Sequence, residues 1–286
     1  MTVSGFSFIR NGLKYDYPFE ESIRSVLPLC DEFILAVGKS EDDTLRRAQA
    51  INKKIKIIET VWDDTLREGG AILAQQTNIA LQRAQSDWAF YLQADEIVHE
   101  QELPIIKSAM EEHKQNSEVE GLLFNYIHFY GSHQYIGNSR RWYRNEVRII
   151  RPGIGIQSWG DAQGFRRNGR KLRVKALSAH IYHYGWVKPP EAQQAKQKSF
   201  NKLWHSDDWV REHVGNAETY DYSRGGRLSR FEGSHPSVMQ KRVASENWKF
   251  EYDPIGLREP FKEKILNQIE EWTGWRIGEY KNYELL

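Results

Sequence analysis

The sequence predicts an α/β fold built on a doubly wound, mostly parallel sheet, with a helical extension at its C-terminal end. Three observations carry this. Short apolar runs (VSGFSFI, FILAV, KIIET and WAFYL) recur through the first hundred residues and alternate with segments of helical spacing. Two of them, FILAV and WAFYL, are apolar at every position, as expected of strands buried on both faces. Each run ends in a polar loop, and right-handed crossovers would bring those loops to one rim, where open α/β sheets bind ligands.

The elements follow in order. Thr2 to Ile9 reads as a first strand closed by Arg10-Asn11-Gly12. Phe19 to Leu27 has apolar residues at Phe19, Ile23, Val26 and Leu27, a helical spacing that Pro28 stops. Phe33 to Val37 is the second strand, and the Ser and Asp residues of Gly38 to Asp43 are suited to cap a helix from Thr44 to Ile51. Lys56 to Thr60 is the third strand, followed by Trp62-Asp63-Asp64. A helix is expected over Glu68 to Ala84, and Trp88 to Leu92 is the fourth strand. Beyond it the pattern predicts a helix from Glu102 to His113, a strand from Val119 to Tyr130, a polar, basic loop over 131–145, and a strand from Glu146 to Ile150. A loop then carries Trp159-Gly160-Asp161, Arg166 to Lys175 is basic, Leu177 to Tyr184 reads as an edge strand, and Pro189 to Trp204 as a helix. The last eighty residues are less regular: an irregular loop over Asp221 to Gly233, then an amphipathic helix from Glu259 to Thr273 through Phe261, Ile265, Ile269 and Trp272.

Composition narrows the function classes. With 286 residues the chain has ample material for one large domain. Lys and Arg number 40 against 39 Asp and Glu, so net charge gives no case for a polyanion as main partner, and no nucleic acid is expected. The lone cysteine, Cys30, has no internal disulfide partner, and no apolar stretch approaches the ~20 residues of a membrane helix. With no secretory leader pattern, the expected location is the cytoplasm.

The chemistry concentrates at Ser86 to His99, SDWAFYLQADEIVH, where a buried strand delivers Gln93-Ala94-Asp95-Glu96 to its carboxyl end. Adjacent carboxylates repel unless a cation, a proton or a donor compensates them, and hard oxygen ligands suit Mg or Mn. Asp95 is therefore the first candidate metal ligand, although acids at a strand end also serve as caps of a following helix.

From Val3 to His99 the landmarks resemble, in order, a family 2 type glycosyltransferase of the GT-A fold. FIRN ending at Asn11 resembles its first-strand turn; Ser40, Asp42 and Thr44 resemble its D-G-S-x-D-x-T loop; Gly70 to Ala84 with Asp87 resembles its Asn-bearing helix, with Asn78 at the Asn position; and Gln93 to Glu96 falls on its metal-binding D-x-D. The resemblance covers about a third of the chain. It implies an inverting transfer of a sugar from a nucleotide-sugar donor with Mg or Mn, the nucleotide lying across Asn11, Ser40, Asp42, Asn78 and Gln93. Two positions depart from the pattern: Gln93 replaces the first Asp, and Val37-Gly38 replaces an acidic pair, for which Asp63 or Asp64 are substitutes. The amide of Gln93 still offers hydrogen bonds but no negative charge.

An inverting transfer also needs a general base for the acceptor hydroxyl. Asp161 follows VRIIRPG at the interval where the family carries its catalytic acid, and Glu146 is a second candidate. In related transferases a His and a helix Lys resemble His183 and Lys196, which implies roles at the metal or diphosphate. His180 and His183 are three apart, so on a strand only one faces the cleft. The resemblance further implies a saccharide or lipid-linked saccharide acceptor of a surface polysaccharide or lipopolysaccharide, with peripheral contact at the inner face of the membrane. The expected organisation is a transferase domain over 1–204, with a nucleotide-sugar half at 1–99 and an acceptor half at 100–204, and an extension over 205–286 packed on it. A nucleotidyltransferase would need a Gly-rich basic phosphate loop, for which Arg10-Asn11-Gly12 is too sparse. A silent nucleotide-sugar binder would hold the donor without releasing nucleoside diphosphate, and a carbohydrate-binding module would hold glycan with no dependence on metal or nucleotide.

Overall fold

A computed structural model of the chain describes residues 1–63, 65–66, 69–215, 217–253 and 261–286. The first half alternates strand and helix: β1 (Val3–Ile9), α1 (Phe19–Val26), β2 (Glu32–Gly38), α2 (Thr44–Gln49), β3 (Ile55–Thr60), α3 (Ala71–Leu81) and β4 (Trp88–Tyr91). A short β5 (Glu96–Val98) and α4 (Leu103–His113) lead into β6 (Gly121–Tyr130), β7 (Ser132–Gly137) and β8 (Asn145–Ile150). A two-stranded hairpin, β9 (Ile156–Trp159) and β10 (Gly164–Arg167), precedes the long β11 (Leu172–Trp186) and α5 (Pro190–Asn201). The remainder holds α6 (Asp207–His213), β12 (Leu228–Arg230), α7 (Gln240–Ala244), α8 (Phe261–Thr273) and β13 (Tyr283–Leu285).

The architecture is α/β around a mixed sheet whose first half is parallel throughout. Strands β3, β2, β1 and β4 lie side by side in that order, all parallel. Strand order therefore reverses between β1 and β4, which opens a crevice at their carboxyl ends. On the far side of β4 the pairing turns antiparallel through β8, β6, β7 and β12, while β11 runs parallel to β6 and β13 and antiparallel to β5.

The period-2 geometry of these strands sorts their side chains onto two faces. Phe33, Leu35, Val37, Trp88, Phe90 and Leu92 pack with α1, α2 and α4 on one side. Ile34, Ala36, Ala89 and Tyr91 pack with α3 and the β9–β10 hairpin on the other. The two layers explain why the runs are apolar throughout, and they hold the β1–β4 seam rigid beneath the crevice.

Several expectations change. The polar stretch 131–145 is not a plain loop: Ser132 to Gly137 forms β7, its polar residues paired on one side with β6 and on the other with β12. Leu177 to Tyr184 is the middle of a 15-residue strand flanked by other strands, not an edge. Glu96 does not cap a helix, since it begins β5 with its carboxylate turned inward. The helix expected from Glu68 begins at Ala71, and that expected from Glu259 begins at Phe261; Glu68 and Glu259 lie outside the described residues, as does Asp64. No helix among the described residues is long and apolar enough to cross a membrane.

Candidate functional site

A cavity of about 620 Å³ opens at the carboxyl ends of β1 and β4. Its walls include Asn11, Gln93, Asp95, Asp161, His183 and Lys196, six residues that the sequence singles out. Strand ends put them there. β1 delivers Asn11, the turn after β4 delivers Gln93 and Asp95, the β9–β10 turn delivers Asp161, β11 delivers His183, and α5 delivers Lys196.

Asp95 is a buried residue of the cavity wall. Lys196 Nζ donates to its Oδ2 at 3.0 Å and to the Gly185 carbonyl at 2.9 Å, while His183 Nε2 lies 3.8 Å from its Oδ1. Burial alone would raise the carboxyl, but Lys196, His183 and Lys188 outweigh it and hold Asp95 well below the usual carboxylate range. Burial is also the main influence on His183, which it lowers against the opposing pull of Asp95 and Glu96. Burial brings Lys188, whose Nζ donates to the Asp16 carbonyl at 2.6 Å, down to about 7.

Gly185 supplies the clearance between these groups. A Cβ there would sit 2.6 Å from His183 Nε2 and 2.8 Å from Asp95 Oδ2, so only glycine leaves the gap open. A carboxylate oxygen and an imidazole nitrogen facing a cleared space fit a divalent ion such as Mn. Among the described residues no group of three or more His, Cys, Asp and Glu could hold a metal. An ion there would have Asp95 and His183 as protein ligands and would take its others from water or a bound substrate, the usual pattern for Mg.

Glu96 takes no part in this. It is fully buried and held by Arg148, whose Nε and Nη2 each donate to a carboxylate oxygen at 2.8 Å, and by the Tyr126 hydroxyl, also at 2.8 Å. Of the two acids of Gln93-Ala94-Asp95-Glu96, one faces the cleft and the other anchors the sheet.

The loop residues named by sequence are brought together, but mostly to brace one another. Asn11 has a left-handed φ of 53° and accepts the Glu41 backbone N–H at 2.8 Å, while its own N–H donates to Ser40 Oγ at 3.0 Å. Asp42 accepts from the Lys14 N–H at 2.7 Å and from the backbone and hydroxyl of Thr44. Ser40 and Asp42 lie behind the cavity wall, where they fix the loop that holds Asn11 in place. Asn78 also stands off the wall: it exchanges two hydrogen bonds with the Ser158 backbone, at 2.7 and 3.1 Å, and so pins the hairpin that carries Asp161. Asp63 accepts from Thr65 in an exposed turn and does not line the cavity.

The two candidate bases are linked through Gln163. Its backbone N–H donates to Asp161 Oδ1 at 3.3 Å and its side chain to Glu146 Oε1 at 2.8 Å. Asp161 lines the cavity, whereas Glu146 is buried behind it and raised by that burial to about 7.

The sequence brings the loop of Trp62 to this rim without giving its ring a role, and it does not mark two further groups. Trp62 lines the cavity with Phe8 beside it, ring centroids 6.0 Å apart, and the Arg10 guanidinium 5.3 Å above its ring. Tyr143 and Trp186 also line the cavity. Tyr17 underlies Lys188 and Lys196, with the two ammonium groups 4.5 and 4.9 Å from its ring centre. These aromatics come from separate segments of the chain, and no local spacing marks them as neighbours.

No family model matches the chain, and no curated protein matches it either. Solved structures do. S. aureus TarS shares 16% identity over 70% of this chain and 39% of its own, at a TM-score of 0.44. Its 1–349 form in complex with UDP shares 14% over 75% of this chain and 70% of its own, at 0.41. Glucosyl-3-phosphoglycerate synthase from Mycobacterium tuberculosis, in complex with Mn2+, UDP and phosphoglyceric acid, shares 21% over 46% and 44%, at 0.31. The chain thus spans about two fifths of full TarS. Likenesses this distant carry no weight for function, which rests on the site's own residues.

Proposed function

We propose that the protein is an inverting GT-A type glycosyltransferase that moves a sugar from a nucleotide sugar to a saccharide acceptor. The observation that carries this is the Asp95–His183 gap kept open by Gly185, at the reversal of strand order and inside one cavity with Lys196 and Asp161. In this reading residues 1–99 hold the donor, 100–204 supply the acceptor side, and 205–286 pack as an extension. The base stacks at Trp62 under Arg10, Asn11 and Gln93 bind ribose or phosphate, and Ser40, Asp42 and Asn78 shape that pocket. Tyr143 and Trp186 offer the acceptor sugar an aromatic wall. The acceptor we favour is a lipid-linked saccharide of a surface polysaccharide or lipopolysaccharide, met at the cytoplasmic face of a membrane.

The chain's own residues then do the following. Asp161 accepts the proton of the acceptor hydroxyl as that oxygen bonds to the anomeric carbon and the bond to the diphosphate breaks. Lys196 donates to the departing diphosphate, with the Lys188 ammonium adding positive potential behind it. A Mg or Mn ion held by Asp95 and His183 would neutralise charge on the leaving group. A silent nucleotide-sugar binder is the second reading, favoured by Gln93, since the turn after β4 then offers the cleft one carboxylate where the pattern has two.

Thermal unfolding against a panel of nucleoside diphosphates and nucleotide sugars, with and without Mn, tests the proposal. A ligand that binds only the native state raises the midpoint by mass action, by about 2.7 kcal/mol at a hundred times its Kd. One nucleotide should raise it, and more so with Mn; no rise with any of them overturns the reading. With the donor identified, Asp161→Asn should bind it unchanged and lower the transfer rate by about 10²–10⁴-fold, the usual contribution of a general base. Full turnover by that variant would move the base elsewhere, and transfer of no sugar by the wild type would favour the silent binder.

A further inference from the structure

The Asp95–His183 gap works only if the right nitrogen of His183 is bare, and the structure assigns that task to a residue outside the cavity. We propose that His128 is a positioning residue that fixes the tautomer of His183, so that its Nε2 lone pair faces Asp95. The inference rests on the reading of Asp95 and His183 as metal ligands, and it concerns how one of them is prepared.

Hydrogen-bond bookkeeping leads to it. His128 on β6 stands directly opposite His183 on β11 in the parallel register. Its Nε2 lies 2.7 Å from the Tyr143 carbonyl oxygen, which can only accept, so the proton of a neutral His128 is on Nε2. Its Nδ1 is then an acceptor, 2.9 Å from His183 Nδ1. That contact needs one proton, which His183 must supply from Nδ1. In the neutral imidazole, Nε2 of His183 is then left without a proton, and it faces Asp95 Oδ1 at 3.8 Å across the bare α-carbon of Gly185. Two lone pairs of the neutral imidazole and the carboxylate confront each other there, an arrangement that a cation resolves.

The relay is held rigidly. The His128 ring is buried, stacked between Tyr126 and Trp142 at centroid distances of 5.3 and 5.0 Å, with Tyr143 edge-on at 4.5 Å. Without its acceptor nitrogen, His183 is free to move its proton to Nε2 and donate to Asp95, which closes the gap to a cation. Outer partners of metal-bound imidazoles act in this way, and their loss costs about 10–100-fold in metal affinity.

Long-range 1H–15N NMR of the imidazole groups in the metal-free protein, in mildly basic buffer, reads the tautomer directly. The expected result is an Nδ1–H His183 and an Nε2–H His128 in the wild type. His128→Phe should shift His183 to Nε2–H and weaken Mn2+, titrated alone by electron paramagnetic resonance, by about 10–100-fold. His128→Gln, whose amide can donate to Tyr143 and accept from His183, should restore both. A wild-type His183 protonated on Nε2, or a His128→Phe variant with unchanged tautomer and affinity, overturns the proposal. The wild-type spectrum decides even if the variants fail to fold. If that spectrum is as expected and Mn2+ does not bind, the His128 assignment stands and the metal reading falls.

Discussion

Asp95→Ala should abolish the Mn-dependent part of nucleotide binding: the midpoint rise that Mn adds to the nucleotide in the wild type should be absent. The substitution removes the carboxylate from the gap and leaves Lys196, 12% exposed at its side chain, without its counter-charge. Breaking such a buried pair costs about 3–5 kcal/mol, so the variant also unfolds earlier. Asp95→Asn keeps the shape and separates the two effects. The carboxyl sits below its ordinary value of 3.8 in the fold, so the stability it contributes is complete above that pH and is lost as pH falls through the lower, native value. The deficit of Asp95→Asn should therefore be full at neutral pH and shrink in acid. Gly185→Ala provides an independent check, because its Cβ fills the gap while every charge remains. If Asp95→Ala binds nucleotide with undiminished dependence on Mn, the central assignment is wrong.

Arg148→Met should be the most destabilising single change in the sheet, by about 3–5 kcal/mol, because it strands the Glu96 carboxylate in a dry interior. Arg148 is fully buried, bonds both Glu96 oxygens, and also donates to the Gln163 carbonyl at 2.8 Å; its guanidinium lies 5.3 Å from the rings of Tyr91 and Tyr126. The double variant Arg148→Met with Glu96→Met should recover much of the loss, since apolar replacements of buried pairs are often neutral or better. Denaturant unfolding of wild type, single and double variants gives the comparison. A single-variant cost under about 1 kcal/mol would mean that water reaches Glu96 and the pair is not dry.

What the sequence made legible follows from how local each signal is. The runs at Phe33 to Val37 and Trp88 to Leu92 announce two-faced burial by themselves, so the parallel block and its polar rim could be read directly. Asp95 was legible because a strand end placed it. Glu96 beside it gave the same local signal, and its partner Arg148 lies 52 residues away, so nothing nearby showed that it turns inward. His128 was hidden for the same reason: within GLLFNYIHFY it reads as one more strand residue, and only the register with β11 sets it against His183. The strand SHQYIG has too little apolar alternation to stand out and forms because neighbours on both sides pair with it. Ser40, Asp42 and Asn78 were legible as a pattern, yet their hydrogen bonds are spent on the backbone behind the wall.

The length of β11 also governs the order of assembly. This strand brings His183 and Gly185 to the crevice, and α5, which follows it, brings Lys196, which is 101 residues from the Asp95 it contacts. Parallel pairing of β11 with β6 closes a long loop, which makes it an intrinsically slow step. A nascent chain that has reached only β10 carries Asp95 with neither its nitrogen neighbour nor its ammonium partner. The Asp95 site is therefore assembled only once β11 and α5 have been made, before β12 and β13 join the sheet.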